Sequence, residues 1–224
     1  GVLGFVYKAA AEVGELGDNV RALRAAVKRD ALLRFALGSA GARVSVLGHT
    51  RWASVGIISE PNCHPVNSEQ SELSATEQAA PGPYAVAVLN GDVDNHADLK
   101  VSHGLRLAGP ITTDAKVIPA LITEHARRGT PLDESFRRTV AEFEGSVAIA
   151  AVTAAQPDTV QLALRGSGQA LYVGLAEDLF VVASEPYGVV EETPYYLRMD
   201  GETPSPSGSR GQVLVLDGAR AGDL

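Results

Sequence analysis

The spacing of apolar and polar residues divides the chain into predicted strands and helices. Strands are predicted at 1–7, 43–50, 84–89, 147–152, 160–164, 171–173, 179–183 and 212–216. Helices are predicted over 18–37, over 112–125 and from Thr130-Pro131 to Gly145, where a capping threonine followed by proline marks the start of the last helix. Two groups of strands with two helices between them indicate an α+β protein with stacked antiparallel sheets.

Two polar segments interrupt this pattern. Residues 53–83 are rich in Pro, Ser, Asn and Glu and are predicted to form a long loop, while 201–211 is predicted to form a flexible excursion. Loops of this length in a compact domain are often functional.

Composition and charge limit which partners the protein is expected to bind and where in the cell it is expected to lie. The 224 residues are 45% hydrophobic with a net charge of −8, and the mixed charges predict no nucleic-acid partner. No apolar run approaches the ~18 residues that span a bilayer, and the short apolar segment 1–7 lacks the basic region of a secretion signal. We therefore expect a cytoplasmic protein without a membrane partner. Its single cysteine, Cys63, excludes an internal disulfide.

The histidines do not predict a metal centre. His96, His103 and His125 lack metal-ligand spacing, and the chain has no cysteine cluster. We therefore expect neither a metal nor another cofactor.

The segment from His49 to Ser54 follows a predicted strand, where binding groups are commonly held. Arg51 could bind a carboxylate through two parallel hydrogen bonds. It could equally stack on Trp52 or pair with an acidic neighbour. Spacing alone does not decide between these interpretations.

Two adjacent residues, Cys63 and His64, suggest a nucleophile and its base. Neighbours in an extended loop point in opposite directions, however, so these two side chains are not expected to pair. A single loop cysteine is more often a small packed residue.

Asn90-Gly91 and Thr113-Asp114 each have an ordinary and a functional interpretation. Asn-Gly is a turn signal, but an amide side chain and a glycine N–H could also form an oxyanion hole. Asp114 could simply cap a helix, or its carboxylate could hold the ammonium group of a substrate.

Taken in order, these segments resemble the glutaminase domain of the class II glutamine amidotransferases, most closely the glutamine–fructose-6-phosphate aminotransferase (glucosamine-6-phosphate synthase) type. The matching stretches run through nearly the whole chain: 1–4, His49-Thr-Arg-Trp-Ala53, Asn62-Cys-His-Pro65, 90–99, Thr113-Asp114, 145–148, 166–168 and 183–185. Each motif is weak alone, and their order makes the resemblance specific.

The resemblance implies a four-layer αββα sandwich of two antiparallel sheets, of the N-terminal-nucleophile (Ntn) hydrolase type. It also implies hydrolysis of the side-chain amide of L-glutamine by an N-terminal cysteine, whose own α-amine is the base. Residues 1–224 would form this one glutaminase domain. A synthase domain or subunit that binds fructose 6-phosphate would receive the ammonia, with homo-oligomerisation left open.

The site residues implied by the resemblance are the ones singled out above. Arg51 would bind the α-carboxylate of glutamine and Asp114 its α-ammonium group. The Asn90 side chain and the Gly91 N–H would form the oxyanion hole, and Trp52 would lie beside the site.

The sequence departs from the family pattern at several positions. Ser54 replaces the usual threonine, and Val55 and Leu89 replace histidines that the synthase type often has. No Arg-Gly-Tyr-Asp-Ser segment follows Tyr7. The nucleophilic cysteine would directly precede Gly1. Three explanations for its absence from the sequence stay open: it is present in the protein but modified or left out of the sequence, it has been removed, or the natural protein lacks it.

Two rival hypotheses follow from the missing nucleophile. The domain could be a catalytically inactive module that binds glutamine or glutamate and regulates a partner. Alternatively, it could be an enzyme that uses Cys63 as its nucleophile.

Overall fold

The computed structural model describes residues 1–10, 15, 17–50, 57–70, 82–206 and 208–223. Their strands form two antiparallel sheets. The helices are α1 (Asp18–Arg29), α2 (Ala31–Leu37), α3 (His96–Ser102), α4 (Val117–Arg127), α5 (Leu132–Ala141) and α6 (Tyr187–Val190). Short 3-10 turns cover Glu60–Asn62, Asp114–Lys116 and Gly218–Arg220.

The larger sheet has five strands in the order β1-β2-β3-β4-β8. Their bounds are β1 (Val66–Asn67), β2 (Ala85–Gly91), β3 (Val147–Thr153), β4 (Gln156–Arg165) and β8 (Gln212–Asp217). The central strand β3 is buried on both faces, which explains its almost continuous run of apolar residues. Side chains such as Ile149 point into the core beneath α4 and α5, whereas Ala148 and Ala150 point into the other core.

The smaller sheet has three strands in the order β6-β5-β7. They are β5 (Tyr172–Leu175), β6 (Phe180–Ala183) and β7 (Tyr196–Arg198). Val173 of β5 belongs to the core between the two sheets. On the opposite face of β5, Gly174 lies directly against Val189 of α6 and Thr193, and an added Cβ would crowd both side chains.

The layers are therefore helices α4 and α5, the five-stranded sheet, the three-stranded sheet and the short helix α6. This confirms the predicted four-layer αββα sandwich of the Ntn-hydrolase type. The predicted strands between residues 84 and 216 are also confirmed, with ends that differ by a few residues, and β2 continues through Asn90 and Gly91 instead of stopping before them.

The predicted helices are confirmed with adjusted bounds. The segment 112–125 begins as a 3-10 turn and becomes helical at Val117, and the helix predicted from Thr130 begins at Leu132. The segment 18–37 forms two helices rather than one. It breaks at Asp30, whose extended backbone ends α1 and whose side chain accepts the Leu33 N–H at 2.9 Å to cap α2.

The strands predicted at 1–7 and 43–50 are wrong, because neither segment forms a strand or pairs with any strand that the structure describes. Val2, Val6, Val44 and Val46 are each at least half exposed. Apolar spacing predicts which residues suit a strand, but a strand also needs a neighbour for its backbone hydrogen bonds.

The polar segment 53–83 is described only over 57–70 and from residue 82. Within it lie the 3-10 turn at Glu60–Asn62 and the two-residue strand β1, which pairs with β2.

Candidate functional site

Several of the predicted site residues lie at one end of the central strands of the five-stranded sheet. Since β2, β3 and β4 are antiparallel neighbours, the end of β2, the start of β3 and the end of β4 lie together. Asn90 and Gly91 are therefore next to Ser146. The Ser146 hydroxyl accepts the Gly168 N–H at 2.9 Å, which brings the glycine-rich turn after β4 to the same place.

Asn90 presents its side chain at the open end of the space between the sheets. It pairs with Ala148, and its neighbour on the same face, Val88, belongs to the core between the sheets. Asn90 itself is exposed. Within the described parts of the chain, its side-chain amide forms no hydrogen bond, so the NH2 group is available to a ligand.

Gly91 has a left-handed backbone, with φ of 109°. A Cβ at this position would overlap the carbonyl oxygen of Ser146, and the Gln169 side chain is also close. The sheet can therefore pack at this point only with glycine.

The Gly91 N–H points away from β3. The Asp92 N–H donates to the Ser146 carbonyl at 3.1 Å, which makes Gly91 and Val147 a pair without mutual hydrogen bonds. The N–H and C=O groups of Gly91 therefore both point away from β3, toward the side of β2 that pairs with β1. No acceptor among the described residues binds this N–H.

Asp114 lies beside the chain that directly follows β2. It is 3% exposed, and its Oδ2 accepts the Val93 N–H at 2.8 Å. Among the described residues, the Oδ1 atom has only a long contact, 3.4 Å, with the Thr113 hydroxyl. Asp114 does not cap its own helix. Its side chain instead joins two segments, because it binds the backbone two residues after Gly91, one of the predicted oxyanion donors.

Asn62 is the most extensively hydrogen-bonded side chain near Asp114 and was not predicted as a site residue. It is completely buried. Its amide oxygen accepts the N–H groups of Thr112 and Thr113 at 2.8 and 3.0 Å. Its NH2 group contacts the Ile57 carbonyl oxygen, the Ser59 hydroxyl and the Thr112 hydroxyl, each at 3.1 Å. The available signal was its place at the start of Asn62-Cys-His-Pro65.

Cys63 and His64 make different contacts, as expected for adjacent residues. His64 Nδ1 accepts the Leu89 N–H at 3.0 Å, one residue before Asn90, and its ring stacks on His49 with centroids 4.2 Å apart. The Cys63 thiol faces the Ala9 carbonyl oxygen at 3.7 Å. These contacts do not favour Cys63 as a nucleophile activated by His64.

Lys116 follows Asp114 in the same 3-10 turn and is buried. Its ammonium group donates to the carbonyl oxygen and the side-chain oxygen of Asn67, at 2.6 and 2.9 Å. Burial lowers the pKa of Lys116 to about 8, because removal from water disfavours the charged amine.

Three predicted residues, Arg51, Trp52 and Ser54, lie outside the described residues. The described chain resumes at Ile57, whose carbonyl is bound by Asn62.

The described residues contain no group of three or more His, Cys, Asp or Glu side chains that could hold a metal ion. His103 and His125 instead both contact Glu142, with distances of 2.6 and 3.0 Å to its two carboxylate oxygens. In the same parts of the chain, no helix is long and apolar enough to cross a membrane.

Relatives of the chain are found among known proteins, although no protein-family model matches it. It is 32% identical over 173 residues to the glutamine–fructose-6-phosphate aminotransferase (isomerizing) of Geobacillus kaustophilus strain HTA426. The matched residues cover 77% of this chain and 26% of that protein. The protein of the same description from Streptococcus mutans serotype c is 30% identical over 204 residues, covering 90% of this chain and 31% of its own length.

A solved structure has a similar fold. The glutamine phosphoribosylpyrophosphate amidotransferase of B. subtilis, complexed with ADP and GMP, aligns with a TM-score of 0.50 and 22% identity. The alignment covers 73% of this chain and 33% of that one. The chain thus spans about a quarter to a third of the length of these relatives.

Proposed function

This chain belongs to the class II, N-terminal-nucleophile glutamine amidotransferases, and from this we propose that it hydrolyses the side-chain amide of L-glutamine to glutamate and ammonia. The observation that carries the proposal is a pair of donors at the end of β2 that bind no acceptor among the described residues. These are the Asn90 NH2 group and the Gly91 N–H. The Val93 N–H, two residues after Gly91, donates to the buried carboxylate of Asp114.

The two donors suit the charge that develops during amide hydrolysis. A cysteine thiolate directly before Gly1 attacks the amide carbon, and its α-amine takes the thiol proton. The carbonyl oxygen becomes an oxyanion that receives hydrogen bonds from Asn90 and Gly91. The protonated α-amine then returns its proton to the amide nitrogen, so that the tetrahedral intermediate expels ammonia and leaves a thioester, which water hydrolyses to glutamate. Loss of one oxyanion donor costs about 3–4 kcal/mol of transition-state stabilisation.

The amino-acid end of glutamine requires groups of opposite charge. Arg51 is proposed to bind the α-carboxylate through two hydrogen bonds and Asp114 the α-ammonium group. Trp52 and Ser54 would line the same site. Because Asp114 is 3% exposed, we propose that neighbouring side chains move when glutamine binds.

The ammonia is proposed to pass to a synthase domain or subunit that aminates a sugar phosphate. The relatives support this choice, since both are named glutamine–fructose-6-phosphate aminotransferases.

Arg51→Ala in the full-length protein tests the site. We expect the KM for L-glutamine to rise about tenfold or more, because the carboxylate loses a charge-assisted contact worth about 1.5–3 kcal/mol. Glutamate and ammonia release give the rates. Arg24→Ala, at an exposed position that forms no ion pair with the other described residues, is the matched control and should leave KM unchanged.

An unchanged KM in Arg51→Ala would reject the assignment of Arg51. Tight binding of L-glutamate by a full-length protein that releases no ammonia would instead favour the non-catalytic binding module. Loss of ammonia release in Cys63→Ala would favour the rival nucleophile.

A further inference from the structure

We propose that Asn62 is a positioning residue of the glutamine site, which acts by fixing the backbone that carries Asp114. This inference rests on the proposed function, because it takes Asp114 as the group that binds the α-ammonium of the substrate.

The hydrogen bonds of Asn62 are concentrated on the residues that directly precede Asp114. One amide oxygen accepts two consecutive N–H groups, those of Thr112 and Thr113, at 2.8 and 3.0 Å. These groups lie at the start of the 3-10 turn Asp114–Lys116, where the helix itself supplies no acceptors. The Asn62 side chain therefore sets the direction in which this turn begins.

The other half of the Asn62 amide binds a different segment. Its NH2 group contacts the Ile57 carbonyl oxygen and the Ser59 hydroxyl, both at 3.1 Å. Ile57 follows Arg51 by six residues. Asn62 thus links the chain that leads from the proposed carboxylate-binding arginine to the chain that leads into the proposed ammonium-binding aspartate.

Burial makes this link rigid. Asn62 is completely buried and Thr113 is 3% exposed, so water does not compete for these hydrogen bonds. If the Asn62 amide is removed, two buried N–H groups lose their acceptor, and the turn must shift to find another. A small displacement of a charged binding group is enough to weaken a ligand that it contacts directly.

Two ligands that differ only in the α-ammonium group separate this role from general stabilisation. L-glutamate has the group, whereas glutarate lacks it. If Asn62 acts through Asp114, loss of its side chain weakens L-glutamate selectively. If Asn62 merely stabilises the fold, both ligands weaken equally.

The experiment measures the dissociation constants of L-glutamate and glutarate by calorimetry, in the full-length protein and its Asn62→Ala variant. We expect L-glutamate to weaken about tenfold, equivalent to about 1.4 kcal/mol, and glutarate to change by less than about twofold. In an Asp114→Asn background, which has already lost this contact, Asn62→Ala should have no further effect on the ratio of the two constants.

Thr193→Val is the matched control. Thr193 is also buried and also joins two segments, since its hydroxyl donates to the Leu175 carbonyl at 2.7 Å and accepts the Tyr195 N–H at 3.1 Å, but it lies on the outer side of the smaller sheet. This variant should unfold at a lower temperature and keep the ratio of the two constants.

Equal weakening of both ligands by Asn62→Ala, or no weakening of either, overturns the inference while leaving the proposed function intact. If the unmodified protein binds neither ligand, the proposed function fails together with it. Should Asn62→Ala not fold, Thr112→Val removes a single acceptor of the Asn62 NH2 group. It must then lower the preference for L-glutamate, and an unchanged preference overturns the inference.

Discussion

Gly91 combines an unusual backbone conformation with a close contact, and the two can be separated by mutation. Gly129 also has a left-handed backbone, with φ of 87°, but an added Cβ there would meet open space. Gly129→Ala should therefore cost only the conformational penalty of about 1 kcal/mol. Gly91→Ala adds overlap with the Ser146 carbonyl and should cost about 3 kcal/mol or more, measured by denaturant unfolding.

Glutaminase activity provides the second measurement for this pair. If the Gly91 N–H is an oxyanion donor, Gly91→Ala should lower kcat strongly even where most of the protein is folded, whereas Gly129→Ala should keep it. Equal losses of stability in the two variants would contradict the close contact with Ser146.

Lys116 should make stability depend on pH in the alkaline range. Its pKa is about 8 in the folded protein and has an ordinary value of 10.5. Between these values the unfolded chain retains a proton that the folded protein has released, so the contribution of Lys116 to stability rises as the pH rises. Below pH 8 both states are protonated, and the cost of burying the charge is fully present.

The comparison with Lys116→Met isolates this effect, because other titrating groups are common to both proteins. The free energy of unfolding of the natural protein, relative to the variant, should increase from pH 7.5 to pH 10. Lys28→Met, at an exposed position, controls for the loss of one positive charge. A relative stability that stays level across this range would be evidence against a depressed pKa of Lys116.

At the scale of elements, Glu142 joins the ends of three helices. It directly follows α5, and its carboxylate contacts His103 after α3 and His125 within α4. Glu142→Gln leaves one amide NH2 facing a histidine and should destabilise the protein by about 1 kcal/mol. Glu134→Gln breaks only exposed contacts with arginines on the same helix and should change the unfolding temperature little. The prediction fails if the two variants unfold alike.

The sequence predicted elements well where each strand has a neighbour close in the chain. Strands β3 and β4 pair directly, and their apolar residues fill the cores on both faces. The break at Asp30 was missed because the apolar period continues through it. The extended backbone of Asp30 and the hydrogen bond from the Leu33 N–H to its side chain identify it as a cap rather than a helical residue.

At the scale of the whole molecule, the layer order was predictable, but the placement of the first 50 residues was not. The segments 1–7 and 43–50 have the apolar spacing of strands but pair with none of the described strands. Pairing over long sequence separations is not encoded in local spacing. The candidate site shows the same limit. Asn90, Gly91 and Asp114 were predicted from motifs, whereas the role proposed for Asn62 depends on contacts some 50 residues away.

The imidazole ring of His64 lies against β2, and its hydrogen bond with this strand determines which ring nitrogen carries a proton. Because the Leu89 amide donates to Nδ1 of His64, the ring must be neutral and carry its proton on Nε2. A cationic ring has no lone pair left to accept this amide. A titratable side chain thus occupies the place in the strand's hydrogen-bond ladder that a peptide carbonyl would otherwise hold, two residues before the N–H proposed to bind the oxyanion.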